Sequence, residues 1–82
     1  MRSAMMPTAY VLINTNPGAE TGLLGELRKI PAVREARIVM GEYDVLATLD
    51  CNTLRELKEC INLKVRYLDN IVSTNTLMAV NA

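Results

Sequence analysis

The sequence predicts one small α+β domain in which a four-stranded antiparallel sheet packs against two helices. Three observations support this prediction: segments that alternate like strands, segments with apolar residues at helical spacing, and turn residues between them. The chain has 82 residues, and it is 50% hydrophobic but only 4% aromatic. A domain this small buries only about 60% of its unfolded surface. We therefore expect part of the aliphatic surface to be buried between subunits.

The chain begins with a predicted strand and helix. Residues 9–15, AYVLINT, alternate and are rich in β-forming residues, and NPG ends the strand. Asn16 is expected to cap the following helix, and Pro17 suits its first position, where no N–H is needed. Pro31 ends the helix at the preceding residue. The apolar stripe of this helix consists of Leu23, Leu24, Leu27 and Ile30.

A β-hairpin follows the first helix. Residues 33–39 alternate as a second strand, Gly41 allows the turn, and residues 43–49 form the third strand. A second helix over 53–65 and a last strand over 71–80 complete the order βαββαβ. With right-handed crossovers this order gives the ferredoxin-like plan, in which both helices lie on one face of the sheet. The possible caps of the second helix are Asp50, Asn52 and Thr53.

We expect the other face of the sheet to be covered. The alternating patterns VxIxT in the first strand and VxAxL in the third make that face too apolar for water. A second copy of the same sheet is the expected cover. Residues 9–80 would then form the single domain, after a flexible segment over 1–8.

Composition argues against several classes of function. Nine basic residues balance nine acidic ones, so the positive field that attracts phosphate backbones is missing and direct nucleic-acid binding is not expected. No apolar run has the length of a membrane span or signal peptide, so we expect a cytoplasmic protein without membrane contact. His is absent, Cys51 and Cys60 form no CxxC pair, and no metal or other cofactor is predicted. The cysteines are either ordinary thiols or partners in an intersubunit disulfide.

The segment GEYDVL, residues 41–46, admits two interpretations. As a turn, Gly41 supplies a positive φ, Tyr43 packs its ring, and Asp44 accepts hydrogen bonds from nearby backbone. As a site, Asp44 offers its carboxylate to an ammonium group, and backbone N–H groups near Gly41 receive a carboxylate. The second arrangement matches a zwitterionic amino acid.

The last strand contains a second polar segment, STNT at residues 73–76. Hydroxyl pairs at a water-exposed edge would explain it without a ligand. If a partner covers the sheet, these groups need hydrogen-bond partners, and a small polar ligand could supply some of them. The candidates are Ser73, Thr74 and Thr76.

The order and spacing of these features resemble the effector-binding domain of the Lrp/AsnC family of leucine-responsive or feast/famine regulators. The resemblance covers residues 9–80. Two residues depart from the family pattern: Met40 replaces a residue that is often small and polar, and Asn70 replaces a common glycine. The matching residues are Pro17, Gly18, Pro31, Val33, Gly41, Tyr43, Asp44, Ile71, Thr74 and Thr76.

This resemblance implies a non-catalytic domain that dimerises through its sheets, assembles into rings, and binds an amino acid effector in clefts between dimers. Full-length members carry a preceding helix-turn-helix domain, so the chain is expected to be a stand-alone (RAM) form. It would modulate transcription by full-length regulators through effector binding or mixed assembly. The residues implicated in ligand binding are Met40, Gly41, Tyr43, Asp44, Ser73, Thr74 and Thr76.

Two other functions remain open from the sequence. The first is a purely structural oligomerisation module with an empty cleft. The second is a small dimeric ferredoxin-like enzyme, although such sites commonly use His or clustered aromatic residues, and this chain has no His and three Tyr as its only aromatic residues. A response to amino acids distinguishes the sensor from the module, and substrate turnover would indicate the enzyme.

Overall fold

The computed structural model describes residues 7–79 and confirms the predicted ferredoxin-like architecture. The sheet has the strand order β2-β3-β1-β4, and every neighbouring pair of strands is antiparallel. Of the predicted flexible segment 1–8, residues 1–6 lie outside the described residues, as does the predicted strand end at residue 80. The elements are β1 (Thr8–Thr15), α1 (Glu20–Arg28), β2 (Val33–Ile38), β3 (Val45–Asp50), α2 (Leu54–Cys60), a π-helical turn (Ile61–Val65) and β4 (Ile71–Ala79).

The start of α1 differs from the prediction that Asn16 caps it. The N–H of Ala19 donates to the carbonyl oxygen of Asn16 at 3.0 Å, and Gly18 has a φ of 83°, so NPG forms a turn before the helix. The N-cap is Ala19, without a side-chain cap. Asn16 instead contacts Asn70, to which it donates hydrogen bonds from its main chain (3.0 Å) and its side chain (3.3 Å).

The other helix boundaries follow the sequence more closely. Helix α1 ends at Arg28, slightly before the predicted Ile30, whose N–H donates to the carbonyl oxygen of Leu27. Thr53 caps α2 as predicted, because its hydroxyl oxygen accepts the N–H of Glu56 at 3.1 Å. Within residues 7–79, no helix has the length and apolar character needed to cross a membrane.

The core lies between the helices and one face of the sheet. Its fully buried side chains come from β1, β3, both α-helices and the π-helical turn. Burying such a side chain contributes roughly 1.5–3 kcal/mol. The patterns VxIxT and VxAxL belong to this face, so the prediction that they line the second face is wrong. The largest fully buried side chains are Ile13, Leu27, Leu49, Leu57, Val11, Val45 and Val65.

The second face of the sheet, called the open face below, is a mixture of apolar and polar residues. Leu12 lies opposite Leu46, and Tyr10 lies opposite Leu77. Tyr10 is 37% exposed and Leu77 is 52% exposed. One end of this face is polar, and there Asn14 lies opposite Ser73. This polar end is next to the connection between β2 and β3.

Candidate functional site

Asp44 lies in the connection between β2 and β3 and joins three strands. Strand β3 begins at Val45, later than the predicted Tyr43. The main-chain N–H of Asp44 donates to the carbonyl oxygen of Ile13 at 2.9 Å, and the N–H of Val39 donates to the carbonyl oxygen of Asp44 at 2.9 Å. The main chain of Asp44 therefore extends the sheet beyond the first residue of β3 and holds the residue in place.

The carboxylate of Asp44 also contacts β1. The N–H of Thr15 donates to Oδ2 of Asp44 at 3.0 Å. Thr15 is the last residue of β1 and is only 7% exposed. The pairing of β1 with β4 shifts between Asn14 and Thr15. The pairing of β1 with β3 ends at Ile13 and Val45. The carboxylate of Asp44 therefore accepts the N–H of Thr15, which would otherwise have no acceptor.

The second carboxylate oxygen of Asp44 has no partner among the described residues. Among residues 7–79, no hydrogen bond or ion pair involves Oδ1 of Asp44, and no buried side-chain oxygen or nitrogen lacks a partner. Among these residues Oδ1 therefore has no partner, and it is not fully buried. An ionised carboxylate accepts hydrogen bonds at both oxygens, so Asp44 can hold the end of β1 and still accept a donor from a bound molecule.

The glycine and methionine before Asp44 are at the exposed tip of the connection. Gly41 has a φ of 133°, a region that side chains rarely adopt, as the turn interpretation predicts. Met40 is 98% exposed. Within the monomer both residues are therefore free to contact a ligand or another subunit.

Tyr43 contacts the polar end of the open face. The side-chain amide of Asn75 donates to the phenolic oxygen of Tyr43 at 3.3 Å. In the same way, the amide of Asn14 donates to the hydroxyl oxygen of Ser73 at 3.3 Å. Asn75 lies opposite Leu12 and shares the open face with Ser73. We call Asn14, Tyr43, Ser73 and Asn75 the polar cluster.

The structure separates the predicted site residues into groups. Tyr43 and Ser73 belong to the polar cluster, and Asp44 is next to it at the end of β1. Thr74 and Thr76 lie opposite Ile13 and Val11, on the face of β4 that is turned toward the helices. A ligand that covers the polar cluster on the open face would therefore not contact Thr74 and Thr76, which are on the opposite face.

Sequence reasoning missed two members of the polar cluster, Asn14 and Asn75. A signal for Asn75 was present, because alternation within STNT places Asn75 on the face of Ser73 and opposite that of the threonines. Asn14 could be found only from the register of β1 against β4. Both amides have donor and acceptor atoms and can rearrange toward a ligand.

The chemistry of this region suits binding by charge and hydrogen bonds. It offers one open carboxylate oxygen, a phenol, a hydroxyl and two amides. Among residues 7–79, no group of three or more Cys, Asp or Glu side chains could hold a metal ion.

These observations define the class of protein. It is a small ferredoxin-like α+β domain with a polar region next to the connection between β2 and β3. The chain belongs to the Lrp/AsnC ligand binding domain family, whose model matches residues 8–82. The family resemblance predicted from the sequence is thereby confirmed.

Individual relatives agree with this assignment. An uncharacterised HTH-type transcriptional regulator of Pyrococcus abyssi is 32% identical over 68 residues, which are 83% of this chain and 43% of that protein. The chain thus spans less than half the length of this relative. The crystal structure of a hypothetical protein from Pyrococcus horikoshii has a TM-score of 0.88 at 35% identity, covering 94% of this chain and 93% of that one.

A more distant structure shares only the fold. It is a transcriptional regulator from Neisseria meningitidis solved in complex with L-Met, with a TM-score of 0.78 at 13% identity. The match covers 89% of this chain and 49% of that one.

Proposed function

We propose that this domain binds a free amino acid as a regulatory effector and that Asp44 receives the α-ammonium group of the ligand. The observation that carries the proposal is the unequal use of the Asp44 carboxylate: Oδ2 accepts the N–H of Thr15, whereas Oδ1 has no partner within residues 7–79. Hydrogen bonds between ionised groups are roughly twice as strong as neutral ones. A fixed carboxylate with one open oxygen is therefore a suitable partner for an ammonium group.

The polar cluster supports a second contact, with the carboxylate of the ligand. Asn75 donates to the phenolic oxygen of Tyr43, so the hydroxyl proton of Tyr43 is available to another acceptor. A ligand carboxylate next to Tyr43 would accept this proton, and main-chain N–H groups near Gly41 would contribute further donors. Ser73 and the exposed Met40 are candidates for contacts to the rest of the ligand.

Thr74 and Thr76 have a different role in this proposal. Both are on the helix-facing side of β4, which is the edge strand next to β1. They would contact the ligand only if it also reaches the outer edge of β4. A ligand in a cleft between two dimers could do so. Binding in such a cleft would couple to assembly, to the extent that the ligand prefers one assembly.

Assembly belongs to the same proposal. The exposed apolar residues of the open face, including Tyr10 and Leu77, support dimerisation through the sheets. Rings of dimers, and mixed assembly with longer regulators of the family, are the further steps we propose. The regulator from Neisseria meningitidis with bound L-Met supports an amino acid as the class of effector.

A thermal-shift panel with each of the twenty amino acids tests the proposal. A ligand at 100 times its Kd stabilises the folded protein by about 2.7 kcal/mol, which moves the Tm of a domain this small by several degrees. We expect one or a few amino acids to raise the Tm of the wild-type protein. Asp44→Asn should abolish this increase, because the amide keeps an oxygen for Thr15 but loses the negative charge.

Asp50→Asn is the matched control. It removes the same charge from the other end of β3 and should leave the amino acid response intact. An unchanged response in Asp44→Asn would remove Asp44 from the site. If no amino acid shifts the wild-type Tm, the purely structural oligomerisation module becomes the better explanation of this fold.

A further inference from the structure

The two cysteines of the chain line the same groove on the helical side of the molecule. Cys51 directly follows β3, and Cys60 is the last residue of α2. Both thiols are free and half-buried, and both pack against the hydrophobic core. The groove has a volume of about 360 Å³, and its other lining residues are Pro31, Ala32, Glu56, Glu59, Leu63 and Lys64.

Within this groove, Cys60 is close enough to Cys51 to affect the pKa of its thiol. Burial raises the pKa of Cys51 above its ordinary value, and the next largest cause is negative charge on Cys60, followed by Glu56 and Asp50. Burial also raises the pKa of Cys60. The ammonium group of Lys64 lowers the pKa of both thiols and partly offsets these effects.

We propose that Cys51 and Cys60 form a dithiol pair that low-molecular-weight disulfides oxidise to an internal disulfide bond. The thiolate of one cysteine attacks a sulfur of the reagent, forms a mixed disulfide and expels one reagent thiolate. The second cysteine thiolate attacks the protein sulfur of that mixed disulfide and expels the second reagent thiolate. Two protein thiols are oxidised, one reagent disulfide is reduced to two thiols, and the two thiol protons pass to the reagent thiolates.

The bond would tie the end of β3 to the end of α2. The π-helical turn Ile61–Val65 begins directly after Cys60 and contributes Leu63 and Lys64 to the groove. A disulfide here would restrict the unfolded chain and hold α2 and this turn against the sheet. The reduced and oxidised proteins would therefore differ in stability around α2, at the opposite end of β3 from Asp44.

The test uses the full reduced chain and oxidised glutathione. We expect free-thiol titration to fall from two thiols to none, intact mass to fall by two hydrogens, and proteolytic mapping to join Cys51 to Cys60. The Tm of this product should rise and return to the starting value on reduction. Cys51→Ser and Cys60→Ser should instead each accumulate a glutathione adduct, because neither variant can complete the second exchange.

The pH dependence of the rate and a lysine variant provide independent readouts. Because thiolates are the attacking species, the rate should rise steeply with pH below the raised pKa values. Lys64→Met should slow the reaction, since the nearby ammonium favours the thiolate. Wild-type protein that carries two glutathione adducts without an internal bond would overturn the proposal. Disulfide-linked dimers in place of the internal bond would also overturn it and favour the intersubunit alternative.

Discussion

Asp44 directly precedes strand β3 and Asp50 is its last residue. The two aspartates bond to opposite ends of β1 in different ways. At the far end, Oδ1 of Asp50 accepts the hydroxyl of Thr8 at 2.7 Å, and Oδ2 pairs with the guanidinium of Arg34 at 3.2 Å. At the near end, Oδ2 of Asp44 accepts the N–H of Thr15, and Oδ1 has no partner in the part of the chain that the structure describes. One carboxylate is fully occupied within the chain, and the other is half occupied.

The comparison shows that the number of partners does not measure structural importance. Both partners of Asp50 are side chains, and the side chain of Arg34 is 60% exposed, so water can take over their hydrogen bonds. The partner of Asp44 is a main-chain N–H on a residue that is only 7% exposed. A buried donor without an acceptor is costly. The half-occupied aspartate is therefore the more important one for the fold.

The largest effect is expected for Asp44→Ala. It leaves the N–H of Thr15 without its acceptor, and an unsatisfied buried donor costs about 1–3 kcal/mol. We expect the free energy of unfolding of the reduced protein, measured by urea denaturation, to fall by this amount. Because the open oxygen also disappears, any amino acid response should vanish as well.

Asp44→Asn separates the two roles of the residue. Its amide oxygen still accepts the N–H of Thr15, so most of the stability should return while the ligand response stays absent. Equal stability of the Ala, Asn and wild-type proteins would contradict the structural role that we assign to the Thr15 hydrogen bond.

A smaller effect is expected for Asp50→Ala. The variant loses the Thr8 hydrogen bond and the Arg34 ion pair, but exposed ion pairs contribute only about 0–1 kcal/mol. The main-chain N–H of Asp50 still donates to the carbonyl oxygen of Ala32. We expect a loss of about 1 kcal/mol in urea denaturation, and part of it should disappear at high salt. A loss larger than that of Asp44→Ala would make Asp50 the more important aspartate for the fold.

Much of this fold follows from local patterns. The element order and most strand boundaries could be predicted, because alternation and helical spacing are properties of short segments. Alternation identifies which residues share a face but not which face meets the helices. For this reason the sequence-based prediction places Val11 and Val45 on the wrong side of the sheet. The signal NPG was ambiguous, since Asn before Pro-Gly suits both a helix cap and a turn.

The candidate site was predictable in location but not in detail. GEYDVL drew attention to Asp44, but its partner Thr15 is distant in sequence and is defined only by the sheet register. The same limit applies to the contact of Asn75 with Tyr43. It applies also to the cysteines, whose spacing matches no redox motif and whose shared groove arises from the packing of α2 next to the end of β3.

The smallest effect on stability is expected for Tyr43→Phe, in contrast to the large effect expected for Asp44→Ala. Among the described residues, the one hydrogen bond that this variant loses comes from Asn75, and it is exposed and 3.3 Å long. Exposed substitutions usually change stability by less than about 0.5 kcal/mol, so urea denaturation should barely detect it. If the phenol proton binds the ligand carboxylate, the concentration of amino acid needed for a half-maximal thermal shift should nevertheless rise severalfold. Asp44 would then serve both fold and ligand, whereas Tyr43 would serve the ligand alone. An unchanged half-maximal concentration would leave Tyr43 as a contact of β4 only.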